Sequence, residues 1–152
     1  MSDPINLTAE QTTPSSLTDQ TAMESDDLAA AKRMAIDAAI AADDRKANDI
    51  RILQLSDVSY IADFFVIATG FSSAQVRAVA RNIEVALEEK WHRQPLRTEG
   101  QAEGSWILQD YGEIIVHIFM PDERDFYNLE AFWGHATEVD FDLTAAAVAN
   151  QQ

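Results

Sequence analysis

The chain has 152 residues, 47% of them hydrophobic, which suits one ordinary globular core. Its 26 acidic and 11 basic side chains give a formal charge of −15, a sign that repels phosphate backbones, argues against direct binding to DNA or RNA, and favours a basic protein partner. The absence of cysteine excludes disulfides, thiol catalysis and thiolate metal sites.

Residues 1–25 hold four acids and no bases and are rich in Thr, Ser, Gln and Pro, so an acidic, disordered tail is expected there. The chain opens without a basic stretch followed by an apolar one, and the apolar run FFVIA at 64–68 is far short of a membrane span. The expectation is a soluble, cytoplasmic protein that does not bind membranes. A folded domain is expected over 26–140 and a second tail over 141–152, where TAAAVANQQ reads as a frayed helix or a tail.

Ser25 can cap a first helix, with Asp26 and Asp27 near the positive end of its dipole. LAAAKRMAIDAAIAA then carries that helix to about residue 43. DIRILQL (49–55) reads as a strand, and the nearly unbroken apolar ADFFVIATG (62–70) as a second one buried on both faces. After Gly70, Ser72-Ser73-Ala74-Gln75 has the form of a capping box. The following helix places Val76, Val79, Ala80, Ile83 and Leu87 on one face, with Arg77, Arg81, Glu84 and Glu88 on the other, and Pro95 stops it from extending far.

A short strand near LRTE (96–99), the loop GQAEG and a strand SWILQD (105–110) come next. Tyr111-Gly112 forms a tight turn, EIIVHIFM (113–120) returns as a hairpin partner, and Pro121 closes that strand before a last helix. The order implies an α/β domain: a mixed sheet of about five strands flanked by helices.

Nothing matches a GxxxxGK[ST] phosphate loop or a GxGxxG turn. His92, His117 and His135 lack metal-ligand spacing, so no metal is expected. His117 alternates with Ile115 and Phe119 and reads as a satisfied core histidine, with a partner-facing or catalytic role as the alternative. Paired carboxylates for two-metal nucleotidyl transfer are missing: Asp110 and Glu113 straddle a turn, and Asp140 and Asp142 lie at the start of the tail. No hydroxyl stands in a nucleophile elbow either. The expectation is a protein without catalytic residues or cofactor.

The last helix, within ERDFYNLEAFWG (123–134), is dense in aromatic rings. As one continuous helix it turns Phe126, Leu129 and Trp133 to the core and Arg124, Tyr127 and Ala131 outward. Glu130 falls at the boundary, half-buried and in need of a donor. An exposed arginine beside an exposed tyrosine suits an interface anchor, although a solvated helix face is the alternative.

DVSYIADFFVIATGFSSAQVRAVA, EG…SWILQDYGEIIVHIF and ERDFYNLEAFW together resemble the ribosomal silencing factor family, also called Iojap-related proteins, over roughly residues 28–137. The resemblance implies a mixed-sheet domain related in topology to nucleotidyltransferases but without their catalytic carboxylates. It implies a protein that binds the large ribosomal subunit through the basic intersubunit-face protein numbered fourteen. Bound there, it would block small-subunit joining and repress translation, with a further role in large-subunit assembly and a homodimeric free state. Family positions fall on Asp63, Phe65, Thr69, Ser72, Glu99-Gly100, Trp106, Asp110, Gly112, His117, Arg124, Tyr127, Leu129, Glu130 and Trp133. Phe132 departs from the leucine usual before the tryptophan. The partner surface expected on this basis comprises Trp106, Asp110, Tyr111, Arg124, Tyr127, Glu130 and Trp133, with Asp110 and Glu130 meeting Lys or Arg of the partner. A nucleotidyltransferase-like enzyme and a dimeric adaptor unrelated to ribosomes are the rival readings.

Overall fold

The computed structural model describes residues 25–143, so most of the two expected tails lies outside the described residues. The chain divides into two units, Met1–Ala30 and Ala31–Gln152. In the first, the described residues 25–30 are helical, and Ser25 is already inside the helix rather than capping it. Helix α1 covers 25–44; within the second unit it buries Ala31, Met34, Ala35, Ala38, Ala39 and Ala42, the spacing of one helical face. Small side chains let its neighbour approach, and Asn82 Nδ2 donates to the Ala41 carbonyl at 2.8 Å while Trp91 Nε1 donates to Asp37 at 2.8 Å.

The second unit is built on a six-stranded mixed sheet: β1 (Asn48–Gln54), β2 (Phe64–Thr69), β3 (Arg97–Glu99), β4 (Trp106–Asp110), β5 (Ile114–Phe119) and β6 (Thr137–Glu138). The spatial order is β3-β4-β5-β2-β1-β6. Only β2 and β5 pair in parallel; the other four pairings are antiparallel. These two central strands are buried at every position, as their apolar runs require. β6 was not anticipated, and adds a sixth, two-residue strand at the edge.

Helix α2 (Ser73–Trp91) buries Val76, Val79, Ala80, Ile83 and Leu87, the five residues of the expected stripe. Ser72 caps it by accepting from the Gln75 N–H at 3.0 Å. The reciprocal bond reaches one residue further back, with Gln75 Oε1 accepting from the Phe71 N–H at 2.8 Å. The helix ends before Pro95, with His92 left-handed at φ 55° as its C-cap. Beyond it, Arg93 clasps Glu113 through two 2.8 Å hydrogen bonds and the Tyr111 carbonyl at 2.6 Å, fixing the β4–β5 turn. Burial alone would raise the Glu113 pKa; the Arg93 bonds, a backbone hydrogen bond at Glu113 and the Arg93 charge together outweigh it and hold the carboxyl below its ordinary value.

Strand register divides the side chains between two faces. Ile107 and Gln109 point to the face covered by α2, where Gln109 Nε2 donates to the Ala80 carbonyl at 2.9 Å. Trp106 opposite Phe119, Leu108 opposite His117, and Asp110 opposite Ile115 point to the other face.

Candidate docking face

That other face carries a second apolar cluster of Leu53, Leu55, Ala62, Phe65, Ile67, Ile115 and Phe119. Leu129, Trp133 and Ala136 cover it over β1 and β2, while Trp106 and Leu108 remain half-buried on the β4 side.

The expected single aromatic helix is two pieces, α3 (Pro121–Tyr127) and α4 (Leu129–Phe132), broken at Asn128, which is left-handed at φ 45°. The break shifts the helical phase and overturns the expected faces. Phe126 is 81% exposed rather than core, and Arg124 is 8% exposed rather than outward. The Arg124 guanidinium donates from Nη1 to the Asp49 carbonyl at 2.6 Å and to Thr69 Oγ1 at 2.7 Å, and from Nε to Glu130 Oε1 at 2.8 Å. Its Nη2 lies 2.7 Å from the same Glu130 oxygen and 3.4 Å from Asp49 Oδ2 as ion pairs. Glu130 is half-buried and has found a donor as expected, but that donor is Arg124, so its carboxylate is already engaged within the chain.

The remaining rings form a continuous arc. Phe126 meets Tyr127 edge-on at 5.1 Å, Tyr127 lies 4.6 Å from Trp106, and Trp106 stacks on Phe119 at 4.8 Å. His117 and Phe65 link Trp106 to Trp133, which meets Phe132 edge-on at 5.1 Å. Phe126 and Phe132 are exposed at 81% and 76%, so both ends of the arc face outward, with Tyr127 half-exposed beside the first. Sequence reasoning missed Phe126 and Phe132 as surface residues; Asn128, a poor helix former that tolerates the left-handed region, was the available signal.

The positions expected on the partner surface are thus only partly together. Trp106, Tyr127 and Trp133 join in the arc. Asp110 shares their face but stands four residues along β4 from Trp106, about 13 Å away, where Oδ1 accepts from the Gly112 N–H at 2.8 Å. Tyr111 is wholly buried and cannot serve as a surface contact: continuing the alternation of Ile107 and Gln109 turns it toward the helix layer. Burial, reinforced by the Glu84 charge, raises its pKa. Arg124 is excluded from the surface in the same way, by the bonds that hold it inward.

His117 is 4% exposed, and its Nδ1 accepts from Trp106 Nε1 at 3.2 Å. Nε2 has no partner, and burial pushes the imidazole pKa down to about 3, so the ring is a neutral core acceptor. Gly100 sets the backbone of the same region. It is left-handed at φ 86°, and a Cβ there would run into the Trp106 carbonyl. Arg77, exposed on α2 as expected, donates to the carbonyls of Gln101 and Ala102 at 3.0 and 2.7 Å and holds that loop. Among the described residues no group of three or more His, Cys, Asp or Glu could hold a metal ion, and no helix is long and apolar enough to cross a membrane.

A family model described as ribosomal silencing factor during starvation matches residues 28–152. A ribosomal silencing factor of Bacillus subtilis is 44% identical over 106 residues, covering 70% of this chain and 89% of the relative. A mouse protein named for mitochondrial assembly of the ribosomal large subunit is 29% identical over 105 residues, 68% of this chain and 45% of its own. Among solved structures, a Chromobacterium violaceum protein superposes with a TM-score of 0.64 at 33% identity, covering 75% of this chain and 91% of that one.

Proposed function

Because the chain belongs to the ribosomal silencing factor family, we propose that it represses translation by docking its aromatic face on the large ribosomal subunit. The docking partner is the basic intersubunit-face protein numbered fourteen, and occupancy of that surface keeps the small subunit from joining. The observation that carries this reading is the arc from Phe126 through Tyr127, Trp106 and Trp133 to Phe132 on an incompletely covered sheet face. Exposed rings at Phe126, Tyr127 and Phe132 flanking the half-buried Trp106 and Trp133 are costly on a lone protein and characteristic of interface centres. Around them the free charges on α3 are Asp122, Glu123 and Asp125, while the one arginine of that helix is turned inward. Such a rim favours a basic partner and speeds its encounter. Nothing in this mechanism asks for a catalytic residue or cofactor; steric exclusion needs only an interface of standard size, ~1,600 Å² in total.

The free protein is a homodimer on this reading, supported by a separate apolar patch in the β1–β2 loop, where Val58, Tyr60 and Ile61 are exposed. Light scattering of the free protein tests it; a monomeric mass would remove this part alone.

Co-sedimentation with purified large subunits, followed by addition of small subunits, tests the main proposal. Binding with blocked joining is expected. Binding with normal joining would redirect the function to large-subunit assembly, and failure to bind would overturn the proposal.

A further inference from the structure

We infer that Arg124 is a positioning residue of the docking face: without touching the partner, it sets where Tyr127 and Trp133 stand. The inference rests on the docking role proposed above. The two helices that carry the arc are seven and four residues long, too short to hold an orientation by their own hydrogen bonds. Neither has a side-chain cap at its N-terminus, and both meet at the left-handed Asn128. Something outside them must fix the bend.

Arg124 does so from the last turn of α3. Its backbone carbonyl accepts the Asn128 N–H at 2.9 Å, while its side chain crosses the break to Glu130 in α4. The same guanidinium reaches the Asp49 carbonyl in β1 and Thr69 Oγ1 at the end of β2. One planar fork thereby ties both helices to two adjacent strands, a task for which a lysine's point charge is poorly suited. Tyr127 stands three residues after Arg124 and Trp133 three after Glu130, so the clamp fixes the root of each aromatic arm. A buried ion pair is weak evidence of stabilisation, because an apolar group of similar volume would serve as well. Its distinctive contribution here is directional.

Two variants of the full chain test this, measured well below their melting temperatures. Thr69→Val removes one partner of the fork at a buried position outside the arc, and Arg124→Lys removes the fork itself. Binding to large subunits is expected to weaken several-fold in Thr69→Val and more than tenfold in Arg124→Lys, with the far-ultraviolet spectrum unchanged. The near-ultraviolet circular dichroism of the tryptophans is expected to fall in the same order. Tyr127→Ala should cost much less affinity in the Arg124→Lys background than in the parent, because the arm is already misplaced. A structural role alone would leave the Tyr127→Ala penalty undiminished, and that result overturns the inference. So does unchanged near-ultraviolet ellipticity in Thr69→Val, a readout that holds even where the parent protein fails to bind ribosomes. Should Arg124→Lys not fold, Thr69→Val decides alone, with unaltered affinity or unaltered ellipticity against the inference.

Discussion

Trp106 Nε1 donates to His117 Nδ1 at 3.2 Å across the β4–β5 pair, so a half-buried ring of the candidate docking face is oriented by a buried one. The bond requires a neutral imidazole, and burial among Phe65, Phe119 and Trp106 keeps it neutral down to a pKa of about 3. In the unfolded chain the same group titrates near ~6.5. The folded pKa is depressed, so for this base the unfolded state takes up the proton first as pH falls. Its contribution to stability is complete above about pH 6.5 and is lost progressively toward pH 3. At pH 5 the loss is about 2 kcal/mol. Denaturant melts at pH 7 and pH 5 check this: His117→Gln, which retains an acceptor for Trp106 without titrating, should lose less stability between the two than the parent. An identical loss would show that the carboxylates alone produce the acid sensitivity.

The same sign applies to an acid at the other end of the hairpin, although the cause differs. Glu113 is held below its ordinary pKa by Arg93, so the pair stabilises the fold above the unfolded carboxyl pKa and ceases to do so as pH falls through the folded value. In Arg93→Gln the Arg93 bonds and charge are gone and burial is opposed only by the Glu113 backbone hydrogen bond, so the pKa should rise from its depressed value. Carboxyl-carbon NMR titration of the variant reads this directly; a pKa still depressed would show that the turn's backbone dominates.

Gly100 makes a steric prediction. Its φ of 86° and the Trp106 carbonyl in the path of any Cβ leave no relaxed geometry for Gly100→Ala. A loss of about 3 kcal/mol in stability is expected, the sum of a left-handed alanine and a displaced β4 entrance. Chemical denaturation provides the check, and a change under ~0.5 kcal/mol, ordinary for a surface site, would mean that the loop moves aside freely.

Much of this architecture was legible because it is local. The stripe on α2 and the apolar run of β2 carry their period in the sequence, and Ser72 and Gly112 stand at the cap and turn they suggest. β6 was not, since two residues carry no period and pair with β1 only through the tertiary fold. The candidate face was legible in its residue types but not in its orientation. The inward turn of Arg124 depends on Asp49 and Thr69, 75 and 55 residues away, which no helical wheel can register. Tyr111 differs, because extending the β4 alternation by one step would have placed it inside.

Phe126 and Phe132 separate docking from folding most cleanly. At 81% and 76% exposure, neither buries enough surface to matter for stability, so Phe126→Ala and Phe132→Ala should each change it by less than ~0.5 kcal/mol. As the two outward ends of the arc they should nevertheless matter for binding, each costing about 1–2 kcal/mol, or roughly 5–30-fold in affinity for large subunits. Phe132→Leu should bind nearly as well as the parent, because an apolar group of similar reach still closes that end. Full affinity in both alanine variants would move the partner's footprint off the helices and onto Trp106 and the β4 side of the sheet. Loss in Phe126→Ala alone would confine it to α3, where the acids Asp122, Glu123 and Asp125 stand beside the ring.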